Sequence, residues 1–158
     1  MEEIIYVKNS LFGKGIFASR TIKKGEKICI MKGKKISAKQ LDKVVKSGRN
    51  ILVDPLQIAD DRFINLTRPY VLINHSCSPN AGIKKENVLF ALRDIKKDEE
   101  ILFDYSSVWL EGFVCKCESK NCRKYIGDFF TLPGSVQKKY MKLGIVPRFI
   151  KTKIQSMK

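Results

Sequence analysis

Histidine occurs once in this chain, and so does tryptophan. A single histidine excludes zinc sites built on two imidazoles and weakens any histidine proton relay. Acid is scarce as well: 16 Asp and Glu face 31 Lys and Arg, a formal net charge of +15. No apolar run reaches the roughly 18 residues that cross a bilayer, so no membrane contact is expected. The opening MEEIIYVKN lacks the basic start and apolar stretch of a secretory signal peptide. Five cysteines, an odd number with no export signal, make a poor disulfide framework. A reducing compartment follows, cytoplasmic or nuclear and nucleoid-associated. Internal repeats, low-complexity tracts and long linkers are lacking too. A chain of 158 residues has the size of one compact domain with a real core.

What is abundant is positive charge, and it is uneven. Residues 1–60 hold 13 basic against 6 acidic side chains, 61–110 hold 7 against 7, and 111–158 hold 11 against 3. Two readings stand side by side. The lysines are a solvated, solubilising surface, or they form a field for an acidic partner such as nucleic acid. Lys39, Lys43 and Lys46 recur at spacings of four and three, which places them on one helix face.

Residues 4–7, 26–31, 51–53 and 88–92 read as short strands. Lys23-Lys24-Gly25-Glu26 and Lys96-Lys97-Asp98-Glu99 are near-copies, each a turn before a strand, and read as coincident turn chemistry. Ser37 with Gln40 forms a capping box, Ala38, Leu41, Val44 and Val45 supply an apolar face, and Gly48 is placed to stop the helix. Two more helices are expected at 134–143 and 147–157, with Pro147 suited to a first turn. The expected class is mostly β with a few helices (α+β), not a parallel α/β sheet.

Two segments carry chemistry. Asn74-His75-Ser76-Cys77-Ser78-Pro79-Asn80 is a polar turn after an apolar strand, Val71-Leu72-Ile73. Read alone, its histidine is a hydrogen-bonded structural residue. Cys115, Cys117 and Cys122 put three thiols within eight residues. Structural zinc takes four thiolate or imidazole ligands, so these three need a fourth, and Cys77 and Cys29 are the candidates. Cys29 lies between Ile28 and Ile30 and reads as a buried core thiol.

The NHSCSPN segment resembles the signature of SET-domain protein lysine methyltransferases. Four further segments agree in order: Phe12 to Ala18 with its glycines, Ile22 to Glu26, Asp98 to Tyr105, and the C-x-C-x4-C run, which is similar to a post-SET segment. The resemblance spans roughly residues 5–128. It implies a SET-like fold of short sheets over 1–110, a post-SET zinc segment over 111–128 and a basic C-terminal helical extension over 129–158. It also implies transfer of a methyl group from S-adenosylmethionine to a protein lysine side chain. Tyr105 becomes the catalytic tyrosine. Lys14, Gly15, Ile16, Phe17, Asn74 and His75 become cofactor-binding residues, with Gly15 letting the backbone approach closely. Cys77 joins Cys115, Cys117 and Cys122 around zinc. Phe103, Met31 and Tyr70 line the lysine channel. Phe103 stands where the family carries Phe or Tyr, and it points to di- or trimethylation. Two departures are visible: Met31 stands where many relatives have tyrosine, and Val71-Leu72 where an Arg-Phe pair is common. They motivate a second reading, a non-catalytic SET-fold module that binds nucleic acid or a partner protein through its basic flanks.

Overall fold

The computed structural model of the chain describes residues 4–47, 55–108 and 112–157. The described residues form small antiparallel sheets with three α-helices, the class expected. Strands β1 (Ile5–Ser10) and β2 (Gly13–Ala18) make a hairpin paired from Ile5↔Ala18 to Ser10↔Gly13. Strand β3 (Lys27–Ile30) is followed by β4 (Gly33–Ser37), β5 (Pro55–Gln57) and β6 (Arg62–Leu66). Then come β7 (Ala81–Lys84), β8 (Val88–Ala91), β9 (Phe113–Val114) and β10 (Tyr125–Ile126). Sheet order is β3-β8-β7 in one three-stranded sheet and β4-β6-β5 in the other, and β9 pairs β10.

Inward faces of the sheets enclose one core. Ile16, Ile22, Met31, Leu56, Ile73, Leu89, Ile95 and Ile101 are each at most 2 % exposed. A second cluster, built on Phe129, Tyr140, Val146 and Phe149, belongs to the C-terminal segment. There α2 (Gly134–Leu143) ends at Gly144, whose φ of 69° is the left-handed conformation that glycine adopts without strain, and α3 (Arg148–Ser156) starts after Pro147. Ile145 between them packs against Gly82 of β7, where a Cβ would strike it.

Helix α1 (Ala38–Lys46) carries the expected capping box: the Gln40 amide donates to Ser37 Oγ at 3.2 Å and the Ser37 amide to Gln40 Oε1 at 2.9 Å. It buries less than its apolar face suggested. Leu41 and Val44 are half-buried, and Val45 is 63 % exposed. Gly48 and the 51–53 strand lie outside the described residues. One strand expectation is corrected: Val71 and Leu72 belong to a 3-10 helix, Tyr70–Leu72, in which the Ile73 amide returns to the Tyr70 carbonyl. Residues 101–103 do not form a regular strand either. They are held by isolated bridges, Phe17↔Glu100 and His75↔Phe103.

The two near-copy turns prove to be structural partners. Ile22 and Ile95 exchange both backbone hydrogen bonds, at 2.8 and 2.9 Å. Each turn is closed alike: Glu26 accepts from the Lys23 amide and Glu99 from the Lys96 amide, both at 2.9 Å. Each glutamate also pairs with an arginine, Arg20 or Arg93. Gly25 and Asp98 take positive φ at matching positions, 82° and 64°. Local turn chemistry explains each loop separately. Their mutual pairing across the core is what the sequence spacing alone did not reveal.

Candidate active site and metal centre

Tyr105 opens a 3-10 helix, Tyr105–Ser107, capped by the Asp104 carboxylate, which accepts from the Ser106 amide at 3.0 Å. Its hydroxyl donates to the Ile73 carbonyl at 2.7 Å, and its amide donates to His75 Nδ1 at 3.1 Å. Its ring lies 4.8 Å from that of Phe103 and 5.3 Å from that of His75. Phe103 and Tyr105 therefore sit together although no regular strand joins them.

Two cavities of different character share Tyr105 as a wall. One is a cleft of about 230 Å³ with Phe12, Asn74, His75, Phe113 and Lys116 around it. The other is a narrow slot of about 30 Å³ lined by Leu56, Leu66, Tyr70, Ile73 and Phe103, nearly devoid of polar surface. Phe113 belongs to none of the motifs in the sequence, and Phe12 enters them only as the start of the glycine-bearing loop. Phe12 is a large apolar residue at a hairpin turn, 45 % exposed, and that is the signal that could have marked it.

Of the six expected cofactor residues, Asn74 and His75 line the cleft, and Lys14, Gly15, Ile16 and Phe17 do not. Asn74 turns its amide nitrogen to Glu100 Oε1 at 2.8 Å and to the Lys14 carbonyl at 3.1 Å. Ser10 Oγ donates to the same carboxylate at 2.7 Å. Gly15 is required here, because a Cβ would collide with the Glu100 carboxylate and Ser10. The missing side chain thus makes room for a carboxylate that ties β2 to Asn74. Ile16 and Phe17 are buried, and the Lys14 ammonium reaches out to Asn9 at 2.6 Å. Met31 is completely buried and is not among the residues lining the slot. Asn80, at the other end of the polar turn, is also buried. It accepts from the Leu102 amide at 2.8 Å and donates to the Glu100 carbonyl at 2.7 Å, fastening the turn to the segment that carries Tyr105.

His75, Cys77, Cys115 and Cys117 bring four candidate ligand atoms within 4.8 Å of one another. Cys77 Sγ and Cys115 Sγ are 3.7 Å apart. Tetrahedral zinc with Zn–S near 2.3 Å sets sulfur–sulfur edges of about 3.8 Å, so the pair already has the spacing of two ligands. Cys122 stands beside them, its sulfur 3.8 Å from the Cys115 carbonyl. Cys122 is not in that group of four, where His75 stands instead, and hydrogen bonding bears on the role of His75. A backbone amide can only donate, so His75 Nδ1 accepts from Tyr105 and carries no proton. Burial, outweighing the pull of Asp104, lowers the imidazole to about 4 and keeps it neutral, which puts its proton on Nε2. Nε2 is 3.4 Å from Cys77 Sγ and donates to it. In that tautomer His75 offers Cys77 a proton and keeps no lone pair for a metal, while burial holds the Cys77 thiol above its usual range. Burial pushes the Cys117 thiol up, but the Cys77 amide and the Ser119 hydroxyl and amide outweigh it and bring it down to about 6. The donor set suits a soft divalent cation such as zinc. Cys29 is not among these residues, and burial alone raises its thiol to about 12.

One buried constellation was missed. Asp104, with 1 % of its side chain exposed, takes a bidentate pair from Arg123 at 2.8 and 2.8 Å and a hydrogen bond from the Tyr140 hydroxyl at 2.7 Å. Burial disfavours its charge, but these donors more than compensate and hold its carboxyl below the usual range.

Residues 13–106, more than half of the chain, match the SET domain family. A variant-silencing SET domain-containing protein of Plasmodium falciparum is 35 % identical over 136 residues, covering 75 % of this chain and 5 % of that protein. The histone-lysine N-methyltransferase trithorax of Drosophila virilis is 31 % identical over 132 residues, 75 % of this chain and 3 % of its own. Human histone-lysine N-methyltransferase 2B is 29 % identical over 140 residues, 79 % and 5 %. The chain thus spans a twentieth or less of the length of these relatives. With NHSCSPN at the junction of the two cavities and the C-terminal cysteines closing on its Cys77, this chain belongs to the SET-domain family.

Proposed function

We propose that the chain is a protein-lysine methyltransferase that uses S-adenosylmethionine, with one structural zinc on Cys77, Cys115, Cys117 and Cys122. The observation that carries this is that Tyr105 lines both a wider cleft, with Asn74, His75 and Lys116 among its walls, and a narrow apolar slot. Relatives named histone-lysine N-methyltransferase support it. The aromatic rings of Phe12 and Phe113, the amide of Asn74 and the charge of Lys116 fit a ligand that carries a heteroaromatic base, an amine and a carboxylate. S-adenosylmethionine supplies an electrophilic methyl on sulfonium sulfur, to which a lysine nitrogen bonds as the carbon–sulfur pair leaves on sulfur. The chain's part is placement. Apolar walls from Leu56, Leu66, Ile73 and Phe103 admit an aliphatic lysine stem and disfavour its charged ammonium, so the amine arrives neutral without a dedicated base. The Tyr105 hydroxyl donates its proton to the Ile73 carbonyl, so its oxygen can act toward an incoming amine only as an acceptor. Phe103 brings no second hydroxyl to restrain a partly methylated amine. The expected products are di- and trimethyl-lysine.

Incubation with isotopically labelled cofactor and a cell lysate, followed by mass spectrometry, tests the reading. Transfer to a protein lysine supports it. No label, together with no heat of cofactor binding by calorimetry, rules it out, and monomethyl product alone after long incubation rules out the assigned multiplicity.

The second reading, contact with nucleic acid, rests on the exposed Lys34, Lys35, Lys39, Lys43 and Lys46 on and beside α1. Gel-shift titrations should give non-specific binding at micromolar protein in low salt that weakens steeply as salt rises, because each neutralised phosphate releases counterions. No shift in low salt excludes this contact.

A further inference from the structure

We infer that the segment following the cysteine cluster positions the tyrosine of the site, through Tyr140 and Arg123 acting together on Asp104. This rests on the methyltransferase reading and extends it to α2, which lies outside the matched residues 13–106.

The geometry runs in one line. Tyr140 is 2 % exposed, on the inner face of α2, and its hydroxyl reaches Asp104 Oδ2. Arg123 holds both Asp104 oxygens and also donates to Ser106 Oγ at 3.0 Å, while its own amide donates to Cys77 Sγ at 3.4 Å. Asp104 precedes Tyr105 directly and caps the 3-10 helix that Tyr105 begins. Three otherwise separate parts of the molecule therefore converge on one carboxylate: the cysteine cluster by way of Arg123, the C-terminal helices by way of Tyr140, and the tyrosine backbone by way of the cap. A buried carboxylate can be fixed this firmly only if its acceptor positions are filled, and here the donors come from elements 19 and 36 residues away. The imidazole of His75 reads the result, since it accepts from the Tyr105 amide and lies 3.7 Å from Asp104 Oδ1. Tyr140 and Arg123 are not among the residues lining either cavity, so they are positioning residues rather than catalytic ones.

The test is Tyr140→Phe in the full chain, which keeps the ring in its core and removes only the hydroxyl, with Asp104→Asn as a second variant. Small displacements of a reacting group cost rate steeply, so kcat should fall about tenfold in Tyr140→Phe. KM for peptide and cofactor should stay within about twofold and metal content should not change, because the substrate walls are untouched. Unchanged kcat in both variants overturns the inference, whatever happens to their melting temperatures. Hydrogen exchange supplies a readout independent of turnover. The Tyr105 amide should exchange about tenfold faster while the Leu89 amide in β8 keeps its rate. If the parent protein transfers no methyl group, the enzymatic reading fails by itself and exchange alone decides. Acceleration confined to the Tyr105 region upholds the positioning role, and no acceleration, or acceleration everywhere, overturns it.

Discussion

Tyr105→Phe should lower the rate of methyl transfer by roughly a hundredfold or more, the scale of removing one preorganised polar group from a dry site. The ring would remain. Phe103 and His75 stay packed around it at 4.8 and 5.3 Å between centroids, so the wall between cleft and slot keeps its shape. What disappears is a hydroxyl whose proton is donated to the Ile73 carbonyl. Such an oxygen can align an incoming amine by accepting its N–H, and it favours the partial positive charge on a methyl in flight. Neither contact is worth much before reaction. The loss should accordingly appear in single-turnover rate, with cofactor affinity by calorimetry within about threefold of the parent. Equal rates in parent and variant would remove Tyr105 from the chemistry.

Stripping the metal should have the largest effect on stability. The purified protein should carry about one zinc per chain. Chelation should lower the melting temperature by roughly 10 °C or more, since several kcal/mol of metal-linked folding energy shift a domain of this size by a few degrees each. The damage should begin at 112–126, where a two-stranded sheet of two-residue strands has little else to hold it. Single substitutions distinguish the ligand sets. Cys122→Ser should lose the metal, whereas His75→Gln should retain it with weakened affinity, because His75 offers Cys77 a proton. Retention of a full equivalent in Cys122→Ser, with loss in His75→Gln, would establish the imidazole as ligand instead.

How much of this was legible beforehand depends on distance along the chain. The capping box of α1, the Gly144 stop of α2 and the Pro147 start of α3 are local signals, and the helices lie within a residue or two of where those signals put them. Cysteine spacing is also local and gave three thiols. The class of fold followed from short apolar runs between turns. Failures came where a local pattern is ambiguous or a partner is remote. Val71-Leu72-Ile73 is an apolar triplet that suits a strand or a tight helical turn equally, and the structure puts Val71 and Leu72 in the turn with Ile73 as its buried cap. Met31 occupies a channel position by resemblance, yet packing places it wholly in the core. Gly15 reads as a place for close ligand approach, and the structure adds a nearer neighbour, Glu100. The Asp104 constellation leaves no periodic trace at all. Its members are ordinary residues until three elements meet.

The paired turns around Ile22 and Ile95 also govern when this protein can fold. During synthesis the β1–β2 hairpin and its Lys23–Glu26 loop emerge early, but the backbone partner of Ile22 is 73 residues behind. Isolated two-stranded hairpins are marginal in water. The early segment therefore gains its backbone partners only once residues 95–101 are present. Such non-local pairing makes for slow folding, because loop-closing entropy is lost before any contact repays it. Ile16, Phe17 and Ile22 therefore stay without their native cover until residues 95–101 have been made.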